Sequence, residues 1–426
     1  MITARAFAGK HYAVYGLARS GLSTVEALLA SGARVTAWDG KDEARAALPE
    51  GAELADLDAV DLAQFDSIVV TPGLPLNRHP IAARARAARV EIIGDIELFA
   101  LARPELPPHK VVGITGTNGK STTTALVHHI LQTAGVPSLM GGNIGLPILS
   151  RDPLPEGGVY VLELSSYQID LTQSLDCDIA VLLNVTPDHL DRYDGFAEYA
   201  VSKARLFEMQ TPKQIRVVNP ENPASRALGI ELTRLAPTNL PRWRGPKDNN
   251  SWPALQGLHN ASNASAAIHV CGAIGVAEDI IYRALGTFPG LPHRMEQIRE
   301  KDGVAFVNDS KATNATATAP ALATFPAIRW ICGGQAKADH LDECAPFFGH
   351  VRKAYTIGEA SELFARILAP HIKVAECGDL AHAVLRAAHD AQPGETILLS
   401  PGCASFDQFR DFEARGDAFR TLVGAL

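Results

Sequence analysis

The sequence predicts an α/β protein of three domains, each built on a parallel sheet with helices on its faces. Three observations predict it. The chain has 426 residues, and at roughly 150 residues per domain that length suggests about three domains. Short, strongly apolar runs alternate with stretches of helical spacing, as strands joined by helical crossovers require. Two glycine turns, at 16–21 and 116–119, each follow an apolar run and precede a helical one. Open α/β sheets bind ligands at such turns.

The elements follow in chain order. Residues 11–15 read as a strand, 16–21 as a turn, and 22–30 as a helix that Gly32 can stop. Residues 34–38 form a second strand ending at Asp39, and 67–70 and 90–93 two more. The Pro-rich stretch 103–108 reads as a linker. A second α/β unit opens with the strand 110–115. The helix that follows carries the apolar stripe Val127, Ile130, Leu131 and Ala134. Residues 159–164 and 179–184 are apolar enough for strands buried on both faces. Residues 238–257 are rich in Pro, Asn and Trp and read as irregular. A third unit begins near Leu291, with strands at 304–308, 328–332, 354–357 and 396–400. The expected domains are 1–98, 99–290 and 291–426.

Composition narrows the function. Hydrophobic residues make up 46% and charged residues 20%, which excludes disorder over most of the chain. No uninterrupted apolar run reaches the length of about 18 residues that a membrane span needs. The N-terminus lacks a signal-peptide core, so a cytoplasmic protein without a membrane partner is expected. Lys and Arg number 39 against 47 Asp and Glu, a net charge of −8. That balance argues against a nucleic-acid partner. Six cysteines (177, 271, 332, 344, 377 and 403) form no Cys-x-x-Cys pair and read as buried or idle thiols.

The strongest motif is Ile114-Thr-Gly-Thr-Asn-Gly-Lys-Ser-Thr122. Backbone N–H groups and a helix N-terminus there favour phosphate oxygens. Lys120 can reach the terminal phosphates, and the Ser121 hydroxyl can hold Mg²⁺. The motif is a variant, because the general pattern places a glycine where Ile114 stands. The first turn is weaker. Gly16, Ala18 and Gly21 lack the middle glycine of the dinucleotide fingerprint, though Asp39 ends the next strand and suits a ribose hydroxyl or a base edge. A nicotinamide dinucleotide, or a tight turn with no ligand, fits the same residues. Glu163 ends an apolar strand, where a carboxylate can offer oxygen to a hard cation. His189 follows the next strand and reads equally as a surface histidine or a site residue. On spacing alone Lys203, inside the helical stretch 196–209, is a solvated helix lysine.

Taken in order, Gly116-Thr-Asn-Gly-Lys-Ser-Thr122, Gly141-Gly-Asn-Ile-Gly145, Leu162-Glu-Leu-Ser-Ser166 and Asn184-Val-Thr-Pro-Asp-His-Leu-Asp191 resemble the Mur ligase family. Gly290-Leu-Pro-His-Arg294, Asn308-Asp-Ser-Lys311 and Ser400-Pro-Gly-Cys-Ala-Ser405 extend the match to nearly the whole chain. The resemblance implies a Rossmann-like UDP-binding domain, a central P-loop ATPase-like domain and a C-terminal Rossmann-like domain that binds an amino acid. It implies ATP-dependent amide formation in peptidoglycan synthesis through an acyl phosphate. The expected substrates are UDP-N-acetylmuramoyl-L-alanine and D-glutamate. L-glutamate or another acceptor, and a non-catalytic nucleotide sensor, stay open as alternatives. ATP, two Mg²⁺ sites and a CO₂-derived carbamate on Lys203 are implied, in a monomer.

Residue by residue, the resemblance assigns ATP contacts to Gly116, Thr117, Asn118, Gly119, Lys120, Ser121, Thr122, Asn260, Asn263, Arg294, Asp309 and Lys311. It assigns the UDP substrate to Gly16, Asp39, Thr71, Pro72, Gly73, Asn143 and Ser165, with Arg19 facing the diphosphate. The amino acid falls to Thr313, Lys337, Ser405 and Phe412. Metal binding falls to Ser121, Glu163, His189 and the modified Lys203, and catalysis to Lys120, Asn143, His189 and Lys203. The stretch 216–257 is short beside the family pattern, so trimmed strands are expected there.

Overall fold

A computed structural model of the chain describes residues 1–188, 191–219, 222–228 and 251–426. His189 and most of the 238–257 stretch therefore lie outside the described residues, as does much of the region expected to be trimmed.

The first sheet holds β1 (His11–Tyr15), β2 (Arg34–Trp38), β3 (Glu53–Leu54), β4 (Ser67–Val70) and β5 (Glu91–Ile93), all parallel, in the order β3-β2-β1-β4-β5. The chain runs outward from β1 and then returns to its other side, so the crevice for a ligand opens between the C-terminal ends of β1 and β4. The helix Arg19–Ala30 starts three residues before the expected Leu22, because Ala18 already has the extended backbone of an N-cap. Gly32, at φ 82°, ends it as expected.

The second sheet holds β6 (His109–Thr115), β7 (Ser138–Gly142), β8 (Gly158–Glu163), β9 (Ile179–Leu182) and β10 (Ile215–Val218). It is also all parallel, in the order β10-β9-β6-β8-β7. Its central strands are buried throughout β8 and β9 and over most of β6, which is what their continuous apolar runs predict. These two sheets belong to one compact unit, Met1–Gly245 with Ser262–Leu285. They share a core that includes Leu28, Phe99, Leu162 and Phe207.

A second unit, Pro246–Ala261 with Gly286–Leu426, carries the third sheet. Its strands are β11 (Glu296–Lys301), β12 (Val304–Asn308), β13 (Ile328–Gly333), β14 (Val351–Ile357), β15 (Val374–Gly378) and β16 (Thr396–Leu399), in the order β11-β12-β16-β13-β14-β15. The sheet is mixed, not purely parallel, because β11 pairs antiparallel with β12. The two are joined by Asp302 and Gly303, both at positive φ, as a two-residue hairpin turn demands. Trp330 and Phe364 pack on one face, Tyr355 and Phe419 on the other. Among the described residues, no helix is long and apolar enough to cross a membrane.

Candidate active site

The phosphate loop sits at the switch point of the second sheet, between the ends of β6 and β9. The helix Lys120–Thr133 begins there, with Gly119 as its N-cap at φ 83°. Two glycines are required by space. A Cβ on Gly116 would lie 3.0 Å from Leu183 Cβ, and one on Gly119 would lie 2.2 Å from Asn263 Oδ1. The loop is stitched to the segment after β9. Thr117 N donates to Asn184 O (2.9 Å), Asn118 N donates to Asn184 Oδ1 (2.9 Å), and Asn184 Nδ2 donates to Asn118 O (3.0 Å). Lys120 Nζ folds back onto the carbonyls of Gly116 and Thr117, 2.9 Å from each. Ser121 and Thr122 open the helix, so their N–H groups and the helix dipole face the loop. Asn263 accepts from Thr123 Oγ1 at 3.3 Å.

Lys203 corrects the reading from spacing. It is 2% exposed, on the buried stripe Tyr199, Ser202, Lys203 and Leu206 of the helix Phe196–Glu208. Its Nζ donates to Gly116 O at 3.0 Å and lies 4.6 Å from the Tyr199 ring centroid. Burial, then the charge of Lys120, pulls its pKa down to about 7, against the opposing pull of Asp188 and Asp170. The sequence signal was available: Lys203 falls on the i, i+3, i+4, i+7 stripe of its helix.

Glu163, the last residue of β8, is 2% exposed and pairs across the ladder with Ile114 of β6. Its Oε1 accepts from Asn143 Nδ2 at 3.0 Å, and its backbone carbonyl accepts from Asn143 N at 2.8 Å. Its Oε2 is buried and has no hydrogen-bond partner. A buried carboxylate oxygen left so is costly, and a hard cation would satisfy it. Glu163 Oε2 thus offers an oxygen donor of the kind a hard cation such as Mg²⁺ takes. Ser165 follows Leu164. Its hydroxyl caps the short helix Ser166–Asp170, accepting from Gln168 N at 3.2 Å in a capping box.

The turn after β1 is built without the missing glycine. A Cβ on Gly16 would lie 2.4 Å from Thr71 Oγ1, so Gly16 lets the β1 and β4 ends approach. Asp39 braces the turn, accepting from Leu17 N (2.7 Å) and from Lys41 N (2.9 Å). Arg19 donates to Gly145 O at 2.8 Å, which ties the turn to the glycine-rich loop carrying Asn143. Pro72 and Gly73 follow Thr71 on the β4 side of the crevice.

The second unit gathers its own candidates. Asp309, 6% exposed, accepts from Met295 N (3.2 Å) and Ser400 Oγ (2.7 Å), and burial raises its pKa to about 7. The positive charge of Arg294 acts on it in the opposite direction. Lys311 Nζ lies 3.8 Å from the Phe412 ring centroid. Lys337 Nζ reaches Thr313 Oγ1 at 3.4 Å. The nearby bridge between Gln335 and Ala404 brings Ser405 alongside. Asn260, in the helix Leu258–Ile274, is buried and donates to Gln256 O at 3.0 Å. Sequence reasoning missed Arg415. It is fully buried, and its guanidinium donates to Ser310 Oγ and O and to the carbonyls of Cys403 and Ala404. It thus fixes the loops of Asp309 and Ser405 together. Its signal is an arginine on the buried stripe of the helix Phe412–Gly424.

Three family profiles match the chain: a Mur ligase MurD-like N-terminal domain over residues 10–94, a Mur ligase middle domain over 114–237, and a Mur ligase glutamate ligase domain over 293–403. The chain is 60% identical to the UDP-N-acetylmuramoylalanine--D-glutamate ligase of Novosphingobium aromaticivorans, covering 100% of this chain and 97% of that one. It is 59% identical to the protein of the same name from Sphingopyxis alaskensis, over the full length of both. The fold resembles UDP-N-acetylmuramate-alanine ligase from Thermotoga maritima (TM-score 0.58, 16% identity, 98% of this chain and 99% of that one). It also resembles MurF from Acinetobacter baumannii (TM-score 0.59, 16% identity, 93% and 90% covered). With relatives this similar over its whole length, the chain belongs to the Mur ligase family.

Proposed function

We propose that the chain is an ATP-dependent ligase that joins D-glutamate to UDP-N-acetylmuramoyl-L-alanine in peptidoglycan precursor synthesis. The names of its relatives supply the substrates. The observation that carries the chemistry is the convergence of Lys120 and a buried Lys203 on one phosphate-loop carbonyl.

A carboxylate is a poor acyl donor, so the substrate carboxylate oxygen takes the terminal phosphoryl group of ATP and ADP departs. The amine of D-glutamate then attacks the acyl carbon. A C–N bond forms, the nitrogen loses a proton, and phosphate leaves with the carboxylate oxygen. Such transfer depends on placed positive charge more than on covalent help from the protein. Lys120 and the N–H groups of residues 116–122 bind the phosphates. Asn260, Asn263, Arg294, Asp309 and Lys311 hold the rest of ATP. Gly16, Asp39, Thr71, Pro72, Gly73 and Ser165 serve the nucleotide sugar. Asn143 orients Glu163 and faces the muramoyl end. Thr313, Lys337, Ser405 and Phe412 take the D-glutamate, whose carboxylates need a cation and hydroxyls.

Ser121, Glu163, His189 and Lys203 would hold Mg²⁺ at two sites, where it neutralises phosphoryl charge. Lys203 would do so as a carbamate. An amine with a pKa near 7 is largely able to stand neutral, as attack on CO₂ requires, and the carbamate it forms is anionic. The three functions fall to residues 1–98, 99–290 and 291–426, in a cytoplasmic monomer.

Phosphate release tests the reading. With ATP, Mg²⁺ and UDP-N-acetylmuramoyl-L-alanine, release is expected with D-glutamate and not with L-glutamate, lysine or diaminopimelate. Release with L-glutamate alone would change the acceptor and keep the mechanism. Folded protein that binds ATP but releases nothing would overturn the ligase reading.

A further inference from the structure

The turn after β4 and the loop after β9 are held together by a two-way clasp within the first unit. Arg192 supplies one side. Its Nη2 donates to the carbonyls of Pro72 and Leu74, 3.2 Å from each, and both Nη atoms reach Gly73 O at 3.4 Å. The other side runs back. Asn77 Nδ2 and Arg78 Nη2 donate to Asp191 O at 3.0 and 3.1 Å.

The clasp continues toward the phosphate loop. The Arg192 guanidinium lies 4.4 Å from the Tyr167 ring centroid, and Tyr167 stacks on Tyr193 at 6.1 Å and 14°. Tyr193 packs at 5.4 Å on Tyr199, whose hydroxyl pairs with Thr117 Oγ1 at 3.1 Å. Tyr193 OH also donates to Asp170 Oδ2 at 2.8 Å, and Ser202 Oγ donates to Asp170 Oδ1 at 2.6 Å. The aromatic chain is therefore anchored to the helix that carries Lys203.

A cavity of about 360 Å³ lies against this clasp, lined in part by Leu74, Asn77, Tyr167, Arg192 and Arg205. Leu74 and Leu76 pack against the core of the first sheet, while the clasp hydrogen bonds fix the backbone carbonyls of the turn. Planar guanidinium donors suit several carbonyls at once, which a lysine ammonium cannot reproduce.

We propose that Arg192 is a positioning residue for the nucleotide-sugar substrate. It fixes the turn holding Thr71, Pro72 and Gly73 against the loop after β9, so that a substrate anchored at the turn presents its acyl end to the phosphate loop. The inference rests on the reading of that turn as the nucleotide-sugar site.

Calorimetric binding of UDP-N-acetylmuramoyl-L-alanine and, separately, of ATP tests it in the full chain. Arg192→Met keeps the aliphatic stem over Tyr167 and removes the donors. It should weaken nucleotide-sugar binding about tenfold, with ATP binding changed less than about twofold. Arg192→Lys should recover part of the loss, and KM for the nucleotide sugar should follow the same order. Asn77→Ala with Arg78→Ala removes the opposite side of the clasp from exposed positions. It should shift nucleotide-sugar binding in the same direction, and it decides the matter if Arg192→Met does not fold. Equal weakening of both ligands, or no change in either, would overturn the clasp. Failure of the unaltered chain to bind the nucleotide sugar would overturn the underlying reading and the clasp with it.

Discussion

The phosphate loop and the buried face of the helix Phe196–Glu208 each bring an ammonium to the same atom. Lys120 Nζ lies 2.9 Å from Gly116 O and Lys203 Nζ 3.0 Å from it. The two regions differ in everything else. Lys120 belongs to a contiguous motif, is half-buried, and lies in a loop whose backbone is built to meet phosphate. Lys203 lies 87 residues after Gly116 in the chain and is almost fully enclosed. Burial, then the charge of Lys120, pulls the Lys203 pKa down to about 7. One lysine opens a helix at the phosphate loop and stays half-buried, and the other is an enclosed amine with this lowered pKa.

That contrast can be broken by substitution. Lys203→Ala should lower turnover on the order of 10³-fold, while ATP affinity measured by calorimetry stays within about threefold. A parallel loss of ATP binding would erase the distinction between the two lysines. Lys120→Met should lower turnover and ATP affinity together, the rate by roughly 10²-fold.

Glu163→Gln sharpens the comparison from the metal side. The Mg²⁺ concentration for half-maximal turnover should rise at least about tenfold. The thermal midpoint should hold or rise, because the charge on the buried, unpartnered Oε2 is gone. A lower midpoint with unchanged Mg²⁺ dependence would make Glu163 a structural residue.

Asp95 tests the burial argument away from both regions. It is 5% exposed, its Oδ1 has no hydrogen-bond partner, and burial raises its pKa from 3.8 to about 6. The folded state therefore holds the proton more tightly than the unfolded state. Stability should be greatest below the unfolded value and fall as pH rises from about 4 to about 6, then level off. Asp95→Asn should remove that slope in chemical denaturation. At pH 7 it should be the more stable protein, by at most about 3 kcal/mol. A slope that survives the substitution would place its origin elsewhere.

The parts legible in the sequence are those whose cause is local. The buried parallel strands announce themselves as apolar runs, and the phosphate loop is a contiguous motif between a strand and a helix. The strands that escaped are edges or carry polar and glycine residues. Ser138–Gly142 contains two glycines, and Glu296–Lys301 is mostly charged because it faces solvent at the sheet edge. Among site residues, Lys120, Ser121 and Glu163 could be singled out from position along a strand or loop. Spacing places Lys203 on the buried stripe of its helix but does not show what it meets there, because Gly116 and Lys120 come from the distant phosphate loop. Arg192 and Arg415 escaped for a similar reason. Each donates to backbone carbonyls of distant loops, and carbonyls leave no trace in side-chain identity.

The proposed metal role of Lys203 requires that its amine be converted to an anion. Carbon NMR of the folded protein with Mg²⁺ and ¹³C-labelled bicarbonate tests that directly. The predicted result is a carbamate carbonyl resonance that is absent from Lys203→Arg and present in Lys120→Met. Identical spectra for the unaltered protein and Lys203→Arg would contradict the account.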